Sequence, residues 1–184
     1  MKFNFIVGAL LLTSAAATAQ ETSTSKYEAG LNYSWLHVNA GNPDLQRTGN
    51  GGSAYFEYNL NRTLGLVADF GGYANTRAGI NDTVTTYMAG PRLNWRRSRL
   101  NPYAQFLFGA AHASNSPAGL SISSNAFAAA AGGGLDYDWS RHISIKPIQL
   151  EYVMTQIGSP NGLAGRQNDI RYSAGVVFKF GERH

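Results

Sequence analysis

From residue 169 to residue 180 the chain alternates without a break. Ile170, Tyr172, Ala174, Val176, Phe178 and Phe180 share one parity, and Asp169, Arg171, Ser173, Gly175, Val177 and Lys179 share the other. Successive side chains of a β-strand leave opposite faces, so a repeat of two specifies a strand and excludes a helical face of period 3.6. The pattern returns upstream. Tyr27, Ala29, Leu31, Tyr33 and Trp35 oppose Glu28, Gly30, Asn32 and Ser34, and Ala54, Phe56, Tyr58 and Leu60 oppose Ser53, Tyr55, Glu57 and Asn59. Leu64 to Phe70, Tyr87 to Trp95, Ala104 to Ala110 and Phe127 to Trp139 repeat it, with Asp69, Arg92 and Asp136 on the polar parity. A soluble sandwich turns its apolar face inward onto a dry core and has no reason to ring its strand ends with Tyr, Trp and Phe; a barrel in lipid has both its apolar face and its aromatics outside.

One further segment, near residues 143–155, breaks parity: Ile143 and Ile145 are in phase, whereas Ile148, Leu150 and Tyr152 are one residue out. A one-residue bulge at Lys146-Pro147 restores a single apolar face, and proline in a strand favours such a break. Between segments, long polar connections at about 39–52, 75–83, 113–124 and 157–168 alternate with short ones at Asn61-Arg62, at 96–100 and at Ser140-Arg141. Long loops on one side and tight turns on the other are the pattern of outer-membrane barrels, and strands of ~10 residues suffice to cross. The expected fold is all-β: an eight-stranded antiparallel up-and-down transmembrane β-barrel, occupying residues 20–184.

Residues 1–19 read as a secretory signal peptide: Lys2 supplies the positive start, residues 3–12 an apolar core, and Ala17-Thr18-Ala19 the small-residue cleavage site. That apolar core is shorter than the ~20 residues of a spanning helix, and no later run reaches that length. Charged residues make up 14% of the chain, against about 25% in soluble domains. With no cysteine, disulfides and thiolate metal sites are excluded. The net charge of +4 is spread along the chain, which gives no nucleic-acid stripe; the run Arg96-Arg97-Ser98-Arg99 reads as a solvated turn.

Two stretches resemble a known family. Gly132-Gly133-Gly134-Leu135-Asp136-Tyr137, then Ser140 to Pro147, then Gln149-Leu150-Glu151-Tyr152, is similar to the penultimate hairpin of the OmpA-like outer-membrane β-barrel domain family, with Lys146 where arginine is commoner. The end of the chain, Ser173 to Phe180, resembles the signal by which such barrels are recognised for assembly, carried by Gly175, Phe178 and Phe180, with Gly181-Glu182-Arg183-His184 beyond it. The resemblance implies a barrel-only, porin-family-like member in the outer membrane of a Gram-negative bacterium. Its implied surroundings are outer-membrane lipid and lipopolysaccharide, with the barrel-assembly machinery as partner during biogenesis.

Function must then lie in lumen and loops. The lumen-facing set is Glu28, Glu57, Asp69, Arg92, Asp136, Glu151, Arg171 and Lys179, with Lys146 beside the bulge. Charges facing lipid cost ~2–4 kcal/mol near the midplane, and inside a narrow lumen they must pair. The leading expectation is a polar network that plugs a monomeric barrel with an envelope-integrity or loop-mediated interaction role. The alternative is a narrow pore for small solutes, the same pairs acting as a gate. A third reading is enzymatic: His112-Ala113-Ser114-Asn115 resembles the H-x-S-N stretch of lipid A 3-O-deacylases, where a His activates a Ser nucleophile. The acidic partner expected about a dozen residues later is replaced by the neighbourhood of Ala126, so no catalytic residue is assigned. His37, His112, His142 and His184 lack ligand spacing, Asp44 and Asp82 are too sparse for a calcium loop, and no metal or cofactor is expected.

Overall fold

The computed structural model describes residues 24–39, 47–77, 80–115, 122–157 and 165–182; the signal-peptide reading of residues 1–19 lies outside them, as does Asp44. Eight strands follow in chain order: β1 (Ser25–Asn39), β2 (Arg47–Asn59), β3 (Leu64–Arg77), β4 (Ile80–Asn94), β5 (Leu100–Asn115), β6 (Ile122–Asp138), β7 (Ile143–Ile157) and β8 (Gly165–Glu182). Each is antiparallel to its neighbours, and β1 pairs with both β2 and β8, so the sheet closes into a barrel with no free edge. No described helix is long and apolar enough to cross a membrane; the crossing is made by strands.

Parity decides which side chains face out. Leu31, Tyr33, Trp35, Phe56, Phe70, Phe106, Phe108, Leu150 and Phe178 are exposed, while Glu28, Glu57, Arg92, Lys146 and Arg171 are buried. The interior is therefore polar and the exterior apolar, the inverse of a soluble fold and the arrangement required where lipid replaces water. Only a small apolar cluster remains inside, including Tyr55, Val67, Met88, Leu107, Ala128 and Val177.

The register confirms the extra residue in β7. Against β6, pairing steps from Leu135↔Ile148 to Tyr137↔Ile145, and against β8 from Gln149↔Ser173 to Lys146↔Gly175. Pro147 and Ile148 both face outward across the bulge, which returns Ile143, Ile145, Ile148, Leu150 and Tyr152 to one face and sends Lys146 and Gln149 inward.

The connections at one end are tight. Asn61 Oδ1 accepts the backbone N–H of Thr63 and Leu64 at 2.8 and 2.7 Å, and Ser140 Oγ accepts those of His142 and Ile143 at 3.3 and 3.1 Å. Short polar side chains thereby replace backbone partners in the turns. At the other end the sequence reading needs correction. Parts of the segments at 39–52, 75–83, 113–124 and 157–168 are strand: β2 begins at Arg47, β3 runs to Arg77, β4 begins at Ile80, β5 runs to Asn115 and β8 begins at Gly165. At 13–18 residues, the strands outrun the ~9–11 needed to cross hydrocarbon. The surplus stands beyond lipid, where nothing enforces apolar alternation but the ladder continues to satisfy the backbone.

Candidate functional site in the barrel lumen

Two tyrosines organise the lumen. Gly30 on β1 leaves room for the Tyr55 ring: a Cβ at Gly30 would lie 2.1 Å from Tyr55 Cε1. Gly134 on β6 does the same for Tyr103, whose Oη would be 2.5 Å from a Cβ there. The rings hold two cations. The Arg92 guanidinium carbon sits 4.7 Å from the Tyr55 centroid and 4.2 Å from that of Tyr103, and Lys146 Nζ sits 4.0 and 5.0 Å from the same two. Cation–π attraction is strongest where water is excluded, and both cations are almost completely buried, at 1% and 0% exposure.

A continuous hydrogen-bonded chain runs from these cations across the lumen. Arg92 Nη1 donates to Glu57 Oε2 at 2.8 Å, and its Nε donates to Gln105 Oε1 at 2.8 Å. Gln105 donates to Glu151 Oε1 at 2.7 Å. Gln149 donates to Glu151 Oε2 at 2.6 Å while its own Oε1 accepts from Tyr103 Oη at 2.7 Å and Lys146 Nζ at 3.0 Å. Arg171 binds Glu151 through Nε at 2.7 Å, and reaches Asp69 at 3.2 Å and Tyr73 Oη at 2.7 Å through Nη1. The network thus links β2, β3, β4, β5, β7 and β8. Asp136 is buried as well.

A second tier lies toward the tight turns. Glu28 Oε1 accepts from Ser25 at 2.9 Å, Asn59 at 2.9 Å and Arg96 Nη2 at 2.7 Å. Asn94 joins the tiers by donating to Glu57 Oε1 at 2.7 Å. Lys179 is paired with Asp138, which also accepts from Ser144 at 2.6 Å.

The structure thus brings Glu28, Glu57, Asp69, Arg92, Asp136, Lys146, Glu151, Arg171 and Lys179 together inside one lumen. It corrects the reading of Arg96 as part of a solvated turn: Arg97 and Arg99 are exposed, but Arg96 folds back onto Glu28, its side chain 12% exposed. The parity of Arg92 and Asn94 extends past the end of β4 to Arg96, and that of Asp136 extends to Asp138 at the end of β6, so continued alternation was the signal for both. Of the assembly-signal residues, Gly175 pairs with Asn32 across the β1–β8 seam, while Phe178 and Phe180 are exposed on the outer face opposite Ala29 and Tyr27. His112 lies on the outer surface, its Nδ1 2.7 Å from the amide oxygen of Asn125. Among the described residues no three His, Cys, Asp or Glu side chains are grouped to hold a metal.

The eight-stranded barrel matches known structures. Neisserial surface protein A is 18% identical, covering 85% of this chain and 98% of that one, with a TM-score of 0.69. Ail, the attachment invasion locus protein of Yersinia pestis, is 16% identical over 85% of this chain and 99% of its own, with a TM-score of 0.58. The N-terminal barrel domain of Pseudomonas aeruginosa OprF is 16% identical over 86% and 99%, with a TM-score of 0.50. At such identities the likeness establishes the fold alone. Among curated proteins, no sequence is significantly similar to this chain. The family model described as the outer membrane protein beta-barrel domain matches residues 5–180, so the chain belongs to that family of bacterial outer-membrane β-barrels.

Proposed function

We propose that this barrel is a closed, monomeric outer-membrane anchor that presents its external connections and contributes to envelope integrity, rather than a pore or an enzyme. One observation carries the reading: the network from Glu57 through Arg92, Gln105, Glu151 and Arg171 to Asp69 joins opposite walls of the lumen. An eight-stranded barrel encloses a space that side chains can fill, and here buried ion pairs fill it together with the Tyr55 and Tyr103 rings. Opening a water path requires breaking at least one such pair, which leaves a buried charge uncompensated. Closure on itself leaves no strand edge for a second copy to extend, which supports the monomer. Outer-leaflet lipopolysaccharide is the surface the exposed Tyr33 and Trp35 and the half-buried Tyr172 would meet, and the barrel-assembly machinery is the partner expected during insertion.

The deacylase alternative draws no support from the surroundings of His112. A general-base His is oriented by a carboxylate; here the ring nitrogen meets an Asn amide instead.

Liposomes carrying the purified protein should not swell in small sugars, and planar bilayers should show few and small steps. Large, steady conductance from the unmutated protein would replace the anchor reading with the pore.

A further inference from the structure

We propose that the turn end of the barrel holds a site for a phosphate oxyanion, supplied by the headgroup of an anionic phospholipid of the periplasmic leaflet. The inference uses the orientation that places the short turns on the periplasmic side.

A cavity of about 550 Å³ opens at that end, between the β4–β5 and β6–β7 turns and the end of β8. Arg96, Arg99, Arg141 and Lys179 line it, with Asp138 as the only carboxylate among the described residues of the lining. Counting Glu28, which holds Arg96 from behind, four cations face two carboxylates. Among the described residues that is an excess of two Arg and Lys side chains over carboxylates.

Two features favour a phosphate. Arg96 commits Nη2 to Glu28 and Asn59, at 2.7 and 2.9 Å, yet its Nε is buried with no hydrogen-bond partner among the described residues. Arg96 lines the cavity as a guanidinium fixed from behind, which makes it half of an oxyanion clamp, because guanidinium geometry matches phosphate oxygens. Arg99 and Arg141 come from facing turns and are exposed, so they can close on an anion from two sides without breaking an internal pair.

The remaining lining indicates lipid as the source. Trp139, 71% exposed, and Phe180, 45% exposed, stand at the rim. Aromatic side chains of this kind occupy the headgroup level of a bilayer. A phosphodiester approaching from the leaflet would place its phosphate among the cations and its glycerol against these rings.

The test uses the full mature barrel, released from zwitterionic micelles doped equally with phosphatidylglycerol and phosphatidylcholine, with retained lipid read by native mass spectrometry. Each basic side chain near an anionic surface contributes about a fivefold preference, so the unmutated barrel should retain phosphatidylglycerol over phosphatidylcholine by roughly tenfold or more. The double variant Arg99→Gln plus Arg141→Gln should lose most of that preference. Arg62→Gln plus Arg97→Gln removes two exposed charges from the same end but outside the cavity, and should retain it. Equal retention of the two lipids by the unmutated barrel overturns the site, and equal losses in the two double variants reduce it to a diffuse basic rim. Millimolar inorganic phosphate that strips the bound lipid and protects the lipid-free barrel from heat equally well would assign the cavity to a soluble anion and overturn the lipid source. The heat-dependent mobility of each variant in detergent gels reports separately that the barrel has folded.

Discussion

Arg92→Met isolates the central ion pair. The substitution keeps the length of the stem and removes the guanidinium, so among the described residues Glu57, itself 0% exposed, is left with only the Asn94 amide as hydrogen-bond donor. Gln105 loses its donor at 2.8 Å, and both tyrosine rings lose a cation within 5 Å. Hydrogen bonds to a charged group contribute about 1.5–3 kcal/mol each, and removing one member of a buried ion pair costs about 3–5 kcal/mol in all. A loss of about 4 kcal/mol is expected. With a urea dependence near 2 kcal/mol per M, the unfolding midpoint of the barrel in lipid vesicles should fall by roughly 2 M. Glu57→Gln in the same background removes the orphaned charge while leaving an acceptor for Asn94. The double variant should therefore recover much of the loss, giving a coupling energy above about 1.5 kcal/mol in the cycle. A shift under about 0.5 M for Arg92→Met, or strictly additive single losses, would refute the claim that this pair holds the lumen closed. The same variant tests selectivity. Among the described residues the lumen offers five cations against seven carboxylates, so any leak through the broken network should favour cations.

Other perturbations probe separate parts of the molecule. Replacing Phe178 and Phe180 by Ser removes two outward aromatics from the end of β8. Outer-membrane levels should fall and protease-sensitive chain accumulate in the periplasm; normal levels would remove these residues from the assembly signal. Gly30→Ala places a methyl group 2.1 Å from the Tyr55 ring and should destabilise by about 1–3 kcal/mol, as overpacking does; Tyr55→Leu in the same chain should relieve the strain, which a urea titration of the three variants checks. Expression in a host with unmodified lipid A should leave its acyl pattern unchanged by mass spectrometry, with His112→Ala indistinguishable; loss of one acyl chain dependent on His112 would establish the enzyme instead.

The faces of the barrel were legible because lipid imposes a cost on every misplaced charge, which keeps alternation strict across the hydrocarbon. The same cost exposed the β7 bulge: Ile145 and Ile148 face lipid together only with an extra residue between them. Beyond the hydrocarbon the rule lapses, so polar residues at the outer strand ends read as loop although the ladder continues. The lumen was legible in its charges and not in its connectivity. Gln105, Gln149, Asn59 and Asn94 are neutral amides with nothing in their identity to mark them, yet they carry the contacts between ion pairs. Arg96 was hidden because three basic neighbours at a turn look solvated, whereas continued parity and the Glu28 carboxylate behind it draw this one inward.

The position of Arg171 bears on how the cylinder can deform. It stands on β8, at the seam where chain start meets chain end, and its guanidinium reaches past β1 and β2 to Asp69 and Tyr73 on β3. Ser34 and Ser173 join hydroxyls at 2.7 Å directly over the same seam. Parting β1 from β8 is therefore no simple unzipping of a ladder, because it also pulls a buried cation away from partners three strands distant. Lateral release of a molecule from the interior into the bilayer would have to break that strut first. The wall behaves as a braced hoop rather than a split ring, and traffic, if any is engineered into this scaffold, must run along the axis.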